Sequence, residues 1–376
     1  MKKAFAIVII VTLFAVPAIA QVLMHQDGLT YTLYNLGGTP YADVSGQSLM
    51  ESTAVTIPST ITNEGIEYTV TGIGANAFAY CDFLTSIDIP TSVTTIGHGA
   101  FYNCDALFSI ELPNSITAIG DRAFENCDAL SSISIPHSVT SIGQSAFSFC
   151  HSLTTADLPN SLNAIDDYTF WDCTSLTNIK IPNSVKTIGP MAFAQCRALS
   201  TIDIPSSVTD IGSSAFFGCS ALTAITLPNS VKTIGEAAFN QCSSLTAVDI
   251  PSSITDIGSG AFGACSQLAE INYNTHDPIL LPIKDIFFDD TYLWGTLNVP
   301  VGTIDIFRNT APWAYFEIIK ECDFSGIEEA ATDLDPNTPV AVYNLNGVKV
   351  ADSTANLPAG TYIVSQGTIS KKITIK

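Results

Sequence analysis

Cysteine is the residue whose number and spacing first suggest chemistry in this chain. Nine of its 10 cysteines recur at one interval of 23 residues. Metal sites need close pairs such as C-x2-C, and this sequence has none. Units stacked about 5 Å apart would bring equivalent cysteines within the span of a disulfide. Each cysteine also follows a Phe by three residues, in an apolar pattern that favours a buried ladder of free thiols over disulfides. The ladder comprises Cys81, Cys104, Cys127, Cys150, Cys173, Cys196, Cys219, Cys242 and Cys265.

This sequence contains few residues in arrangements that could support catalysis. The histidines fall at unrelated positions, and they are His25, His98, His137, His151 and His276. We expect His98 and His151 to be exposed to solvent. The chain has no G-x-S-x-G, no H-E-x-x-H and no Gly-rich phosphate loop. We therefore predict no catalytic residues, no metal site and no cofactor.

Charged side chains recur at the outward position of one short strand per repeat, where they could contact a ligand. They are Asp88, Glu111, Asp157, Lys180, Asp203 and Asp249. With the Ser and Thr residues around them they predict a strip about 40 Å long, and repeat proteins use such extended faces for binding. The same residues would also keep a strip soluble and discourage edge pairing. The strip has no aromatic or Arg residue of the kind that anchors a ligand. The sequence therefore leaves open whether the strip binds a ligand or is only solvated.

These residues belong to a repeat that keeps its period without insertion or deletion. Pro recurs every 23 residues from Pro90 to Pro251, and Phe recurs at the same interval from Phe78 to Phe262. The unit reads I-P-x-S-V-x-x-I-G-x-x-A-F-x-x-C-x-x-L-x-x-I-x-I-P. One such unit cannot bury its own apolar residues, whereas stacked units bury them against their neighbours. The period therefore predicts a solenoid of equal coils.

Two short extended segments are predicted in each unit. Ile87 and Ile89 fall on one face of a strand, because side chains alternate between its two faces. Pro90 ends this strand, since it cannot donate to a ladder. The segment Val93-x-x-Ile96 forms a second extended piece.

The rest of the unit is predicted to consist of turns. Gly97 is expected to adopt a positive φ. Asp166 takes the same place in another copy, and we expect it to tolerate that conformation without breaking the stack. The segment Ala100-Phe101-x-x-Cys104 has the spacing of one α-helical or 3₁₀ turn.

The unit resembles the BspA-like leucine-rich repeat, a 23-residue bacterial class also found in Treponema surface proteins. The resemblance covers roughly residues 57–319, and Leu84, Ile87, Pro90, Phe101 and Cys104 illustrate one copy. It implies a right-handed leucine-rich repeat solenoid over residues 57–277 with atypical ends. Residues 21–56 are expected to form an N-terminal β-hairpin cap.

The C-terminal end of the array is expected to be an irregular last repeat or cap over residues 278–325. Aromatic residues are expected to cover the last open coil of the solenoid. They are Trp294, Phe307, Trp313 and Phe316.

The N-terminus predicts a cleaved secretion signal over residues 1–20. Lys2 and Lys3 precede a 13-residue apolar stretch, and cleavage is expected between Ala20 and Gln21. That stretch would give a helix of about 20 Å, whereas a bilayer core measures about 30 Å. A membrane anchor is therefore disfavoured, and no other stretch predicts a transmembrane segment.

The C-terminus predicts a second, small domain. Residues 326–339 form an acidic linker, and residues 340–376 contain four Lys and one Asp. The latter resemble the type A C-terminal sorting domain of the type IX secretion system of Bacteroidota, which implies a small antiparallel β-sandwich. The motif residues are Gly347, Pro358, Gly360, Tyr362, Lys372 and Lys376. The resemblance implies the secretion and sorting machinery as partners, and the alternative is a β cap without a sorting role.

Composition limits the function classes that fit. The 376 residues are 47% hydrophobic and carry a net charge of −21, which disfavours nucleic acid as a partner. The patterns favour an exported, non-enzymatic protein at the outer-membrane surface of a Gram-negative cell or outside it. The BspA resemblance implies adhesion, with a protein or glycan ligand on the repeat face. The alternative is a structural scaffold protein retained in the envelope, with no external ligand.

Overall fold

The protein is a solenoid in which each 23-residue coil lies on the one before it. The computed structural model describes residues 22–35, 38–48, 51–279 and 285–324, together with four strands between residues 341 and 375. The solenoid has about 11 turns, which confirms the predicted repeat architecture. Three hydrogen-bonded faces run along it, and we call them the strand face, the second strand row and the turn face.

The N-terminal cap consists of hairpins, in agreement with the alternating pattern of its sequence. The first strands are β1 (Val22–Gln26), β2 (Leu29–Tyr34), β3 (Tyr41–Gln47), β4 (Ala54–Thr56), β5 (Thr60–Asn63) and β6 (Ile66–Ile73). Strands β1, β2 and β3 form an antiparallel meander, and β3 runs parallel to β6. Strand β6 then pairs with the first coil, so the cap continues directly into the solenoid.

Short strands and two short helices form the coils and the C-terminal cap. They are β7 (Ser86–Asp88), β8 (Thr95–Ile96), β9 (Ala118–Ile119), β10 (Ser132–Ser134), β11 (Ser141–Ile142), β12 (Thr155–Asp157), β13 (Ala164–Ile165), β14 (Asn178–Ile179), β15 (Thr187–Ile188), β16 (Asp210–Ile211), β17 (Ala224–Thr226), β18 (Thr233–Ile234), β19 (Ala247–Ile250), β20 (Asp256–Ile257), β21 (Glu270–Tyr273), α1 (Asp289–Trp294), β22 (Thr296–Pro300), α2 (Ile304–Arg308) and β23 (Ile318–Cys322).

The strand face contains the segments that precede the repeated Pro. Its parallel sheets are β4–β7, β10–β12–β14 and β17–β19–β21–β22–β23. From β10 to β21 the register is one whole repeat, so that Ser132 pairs with Thr155 and Ala247 pairs with Glu270. The middle residue of each strand points into the core, as the burial of Ile133 and Ile225 shows.

The second strand row contains the segments that end in the second repeated Ile, such as Thr94-Thr95-Ile96, and a glycine follows each of them except at Asp166. Its parallel sheets are β6–β8–β9–β11 and β13–β15–β16–β18–β20. The prediction of a positive φ at Gly97 is wrong, because the left-handed residue of this turn is Gly99, with φ 57°. Gly97 is required instead for a close approach between coils. A Cβ at Gly97 would lie 2.8 Å from the carbonyl carbon of Gly74 and 2.9 Å from the nitrogen of Ala75.

Asp166 shows what a side chain does at this close approach. The stack of coils continues past it, but the second strand row does not, since β11 and β13 do not pair with each other. Elsewhere the glycine N–H donates to the Ile carbonyl of the coil before, as from Gly189 to Ile165 at 2.7 Å. Within the described residues, the corresponding bond from Asp166 to Ile142 is missing. The expectation that Asp166 is harmless therefore holds for the stack and is wrong for this row.

The turn face is built from the A-F-x-x-C segments, which are neither α-helices nor 3₁₀-helices. Alternate backbone N–H groups bond to the next coil, as from Phe78 to the carbonyl of Ala100 at 2.8 Å and from Tyr80 to that of Tyr102 at 2.7 Å. The others close turns within the coil, as from Cys127 to the carbonyl of Phe124 at 3.2 Å. Each segment is flanked by two left-handed residues, such as Asn76 and Tyr80 in the first coil. The predicted turn between Phe and Cys is therefore present as a single i, i+3 hydrogen bond in most coils, but it does not continue as a helix because alternate N–H groups bond to the next coil.

The core consists of rows of identical residues. The rings of the Phe row stack from Phe78 to Phe287, with centroids 5.2–5.6 Å apart. Rows of Ile, Leu, Val and Cys surround them in one continuous buried cluster. Because every coil has the same length, each aromatic ring meets its equivalent above and below.

The C-terminal cap closes the last coil with aromatic side chains, as predicted for three of the four. Phe307, Trp313 and Phe316 are buried, and Phe287 extends the Phe row into the cap. The indole N–H of Trp313 donates to the carbonyl of Ile279 at 3.1 Å. The prediction for Trp294 is wrong, because this residue ends the short helix α1 and is 78% exposed.

The C-terminal segment contains strands β24 (Ala341–Asn344), β25 (Lys349–Ala351), β26 (Gly360–Gln366) and β27 (Ile369–Ile375). They form one antiparallel sheet in the order β25–β24–β26–β27. The pairing of β24 with β25 is the predicted hairpin, although its turn lies outside the described residues. A second layer of the predicted sandwich is not among the described strands.

Candidate ligand-binding surfaces

The strand face carries the charged strip predicted from the sequence. The six predicted residues are all exposed, and they are Asp88, Glu111, Asp157, Lys180, Asp203 and Asp249. Much of the strip's hydrogen bonding is internal. The side chain of Asn272 donates to Asp249 and that of Asn298 donates to Asn272, each at 2.7 Å. A role of these residues in binding a ligand stays a prediction.

The hydroxyl groups beside the strip hold the coils together. The Thr154 hydroxyl donates to the carbonyl of Ser131 at 3.0 Å, and that of Thr177 donates to the carbonyl of Thr154 at 3.3 Å. Thr223 and Thr246 repeat the pattern in later coils. These donors are engaged within the solenoid, which favours the reading of a solvated, structural strip.

The repeat cysteines lie in the core beside the Phe row. All nine are buried, and the thiol of each from Cys104 onward donates to the carbonyl of the Phe 26 residues earlier, at 3.1–3.3 Å. Burial raises the pKa of Cys219 and Cys265 to about 12. This geometry accommodates the neutral thiol, because the negative charge of a thiolate would be uncompensated in the buried core.

We predict that the repeat cysteines are free thiols in the exported protein. Alkylation after denaturation without reductant, followed by intact mass measurement, should add nine or ten alkyl groups to the 10 cysteines. Alkylation of the folded protein serves as the control and should leave the ladder unmodified, since buried neutral thiols are unreactive. A denatured protein in which most cysteines resisted alkylation would indicate disulfides instead.

The turn face carries a cluster that the sequence reading did not identify. Five aromatic side chains, which we call the aromatic strip, lie on the first, second, fourth and fifth coils: Tyr80, Tyr102, Phe149, Tyr168 and Trp171. The Tyr80 and Tyr102 ring centroids lie 5.3 Å apart, and those of Phe149 and Trp171 lie 4.5 Å apart. Tyr168 packs against Trp171 at 5.5 Å. Tyr80 is 57% exposed, and the other four are partly exposed.

A cation is already bound within the strip. The guanidinium carbon of Arg122 lies 5.0 Å from the centroid of the Tyr102 ring. Its Nε donates to the Glu125 carboxylate at 2.5 Å, and the partly buried pair lies three residues apart. The turn face therefore binds a cation with an aromatic ring and a carboxylate together.

An aspartate row runs beside the aromatic strip, one residue after each of three cysteines. It consists of Asp82, Asp105 and Asp128, and His151 occupies the next place in the row. Burial raises the pKa of Asp105, and the charges of Asp128 and Asp82 raise it further. The row is a concentrated negative potential on an exposed edge of the solenoid.

His151 connects this row to the aromatic strip, so the prediction of a merely solvent-exposed histidine is incomplete. Its Nδ1 lies 2.6 Å from Asp128 and its Nε2 lies 3.4 Å from Asp172. Its ring centroid is 6.1 Å from that of Phe149. Partial burial opposes the charge on the imidazole, but the two carboxylates outweigh it and raise the pKa of His151 above its usual value.

The raised pKa of His151 predicts a stabilising contribution that depends on pH. The contribution should be complete below the unfolded-state pKa of about 6.5 and should be lost as pH rises through the folded-state pKa. We expect an NMR titration of the imidazole to give a value above 6.5 and Asp128→Asn to lower it. Asp249→Asn, a distant carboxylate on the strand face, is the control and should leave it unchanged. A wild-type value at or below 6.5 would contradict the double carboxylate contact.

The second strand row borders a shallow groove of about 470 Å³. Glycines such as Gly189, Gly212 and Gly235 line it, and acidic residues line it too. Asp210 accepts hydrogen bonds from Thr209 and Thr233, both at 2.6 Å. The groove exposes mostly backbone and hydrogen-bonded polar groups, so it offers a ligand fewer anchors than the turn face.

Five of the predicted site residues lie outside the part of the chain that the structure describes. They are Ala20, Gln21, Gly347, Pro358 and Lys376. The remaining sorting-motif residues lie in described strands, with Gly360 and Tyr362 in β26 and Lys372 in β27. The sorting role of all of them stays a prediction.

Across the described residues, no group of three or more His, Cys, Asp or Glu residues is arranged to hold a metal ion. None of the helices in this part of the chain has the length and apolar character needed to cross a bilayer.

Comparison with known proteins identifies the repeats. The model of the BspA type leucine rich repeat region matches residues 71–200 and 186–310, which is more than half of the chain. No curated protein matches the sequence.

Among solved structures, the chain is similar to a leucine-rich repeat protein from Bacteroides ovatus, with 26% identity over 80% of this chain and 100% of the other and a TM-score of 0.49. A leucine rich cell surface protein from Faecalibacterium prausnitzii has 24% identity over 80% and 95%, with a TM-score of 0.37. The T. pallidum leucine rich repeat protein has 26% identity over 63% and 87%, with a TM-score of 0.35.

Proposed function

The chain belongs to the BspA-type leucine-rich repeat family, and from that premise we propose that it is an exported, non-enzymatic module that binds other proteins. The observation that carries the proposal is the turn face, where Tyr80, Tyr102, Phe149, Tyr168 and Trp171 remain accessible on a rigid stack. Aromatic residues are enriched at protein interfaces and supply most of their binding energy. A solenoid holds them at fixed spacing, so a partner meets a preorganised surface.

The N-terminal sequence supports export. Lys2 and Lys3, the apolar stretch after them and the small residues before Gln21 fit a cleaved signal. The family match adds support, because BspA-type repeat proteins are typically at the cell surface or secreted. In this proposal the solenoid acts at the outer-membrane surface or in the extracellular medium of a Gram-negative cell.

The C-terminal segment is proposed to direct delivery through type IX secretion. The acidic linker and the net positive charge of residues 340–376 set it apart from the acidic solenoid. The proposal assigns it contacts with the sorting machinery and leaves ligand binding to the repeats.

Deleting residues 340–376 should separate delivery from folding. We expect the melting temperature of the solenoid to stay nearly unchanged, because few contacts cross an exposed linker. In a host with type IX secretion, the deleted form should accumulate in the periplasm, whereas the full chain reaches the surface. Normal surface delivery of the deleted form would contradict the sorting role and leave a β cap.

Binding outside the cell is tested by fractionation and capture. A tag in an N-terminal cap loop should place the protein in the surface or released fraction, and the purified protein should retain a specific extracellular protein. Adhesion to host proteins, matrix or other bacteria is the activity we propose for that contact. Retention in the envelope without any external partner would contradict the proposal and indicate a scaffold.

A further inference from the structure

The turn face combines two chemistries that lie side by side in the first two coils. The aromatic strip supplies ring faces, and the aspartate row supplies a carboxylate two residues after Tyr80 and three residues after Tyr102, at Asp82 and Asp105. Equivalent rings of adjacent coils in the Phe row have centroids 5.2–5.6 Å apart. The long side chains of an extended segment can therefore reach several coils at once.

Two members of the aspartate row, Asp82 and Asp105, lack a counter-charge among the described residues. Of the cations in the described residues, Arg122 pairs with Glu125, and His151 pairs with Asp128 and Asp172. No described cation pairs with Asp82 or Asp105. Repulsion within the row contributes to the raised pKa of Asp105, so a cation arriving from outside would relieve it.

The protein already shows how this surface binds a cation. Arg122 lies over the ring of Tyr102 while a carboxylate accepts its N–H groups. A Lys or Arg side chain of a partner could repeat the arrangement, with its stem on a ring and its head group on a carboxylate of the aspartate row. The surplus of 35 acidic over 14 basic residues favours the same type of partner.

We propose that the aromatic strip and the aspartate row form the binding site for a Lys- and Arg-rich segment of a partner protein. The inference rests on the proposed function and specifies its surface and the chemistry of its partner. A neutral glycan could also stack on the rings, but it would leave the carboxylates of Asp82 and Asp105 without a counter-charge.

The test uses hexalysine as the probe and calorimetric titration of the full chain as the measurement. Asp82→Asn with Asp105→Asn should raise the dissociation constant about tenfold, because two direct carboxylate contacts are lost. Asp88→Asn with Asp203→Asn removes the same charge from the strand face and is the matched control. This pair should change the constant less than about twofold, since exposed distant charges are largely screened.

Fluorescence provides the second readout. Trp171 is one of three tryptophans, and hexalysine should change the emission of the wild type but not of Trp171→Phe. Equal losses of affinity in the two double variants would overturn the proposal in favour of diffuse attraction. So would an unchanged Trp171 emission, or binding of neutral chitohexaose in place of hexalysine. Any of these results would leave the capture experiment intact, because a partner could still bind another face.

Discussion

Phe170→Ala should lower the free energy of unfolding by about 3–5 kcal/mol. Phe170 lies in the middle of the array with none of its surface exposed, and its ring stacks 5.5 Å from both Phe147 and Phe193. Its carbonyl also accepts the thiol of Cys196 at 3.2 Å. Truncation would leave a cavity in a row that the rigid coil spacing cannot close.

Denaturant unfolding followed by circular dichroism measures this loss. Phe108→Ala is the matched control, because Phe108 is 62% exposed and should cost about 0.5 kcal/mol or less. A cost below about 1 kcal/mol for Phe170→Ala would mean that the Phe row is not a packed stack.

Gly212→Ala should destabilise the protein by about 2–3 kcal/mol, because the new methyl group meets backbone and not a movable side chain. A Cβ there would lie 2.5 Å from the nitrogen of Pro190 and 2.6 Å from the carbonyl carbon of Gly189. The coils would have to separate, which would break the bond from the Gly212 N–H to the carbonyl of Ile188 at 2.8 Å. Asp166 shows the outcome in the native chain, where the second strand row is interrupted.

Gly46→Ala is the control for this prediction. A Cβ at Gly46 would make only an ordinary contact of 3.8 Å with Thr30. We expect it to change the unfolding free energy by about 0.5 kcal/mol or less. In the Gly212→Ala variant, the backbone amide of residue 212 should exchange its hydrogen faster than in the wild type. In the Gly46→Ala control, the amide of Gly212 should exchange as it does in the wild type. Equal stability of the two variants would contradict the close approach between coils.

The period predicted the buried rows well because burial acts on every coil in the same way. Phe101 and Cys104 keep their types through nine copies, so their places in the core could be read from a single unit. The strand face followed from Ile87, Asp88 and Ile89 for the same reason, since alternation decides which side chains point outward.

The role of Gly97 and the hydrogen bonding of the turn segments could not be predicted from one unit, because both depend on contacts with neighbouring coils. Gly97 lacks a side chain because Gly74 and Ala75 of the coil before approach it, and one unit alone does not show that contact. The i, i+3 spacing of Phe and Cys predicted the turn that closes between Phe124 and Cys127, but one unit alone does not show that alternate N–H groups bond to the next coil.

The aromatic strip was missed for a related reason. Its residues occupy variable positions of the repeat, so they disappear from a consensus. Reading the variable positions down the copies would have placed Tyr102 and Trp171 in one row, and Tyr80 and Phe149 in another. Variable positions are where a repeat protein can specify a ligand without changing its fold.

Photo-crosslinking on intact cells tests the central claim, that this solenoid binds another protein outside the cell through its turn face. A benzophenone amino acid would replace Tyr80 on the turn face or, as the control, Thr226 on the exposed strand face. The account predicts a crosslinked partner from position 80 alone, accessible to protease added outside the cell and lost with Asp82→Asn and Asp105→Asn. A crosslink from position 226 alone, or none on cells that display the protein, would contradict it.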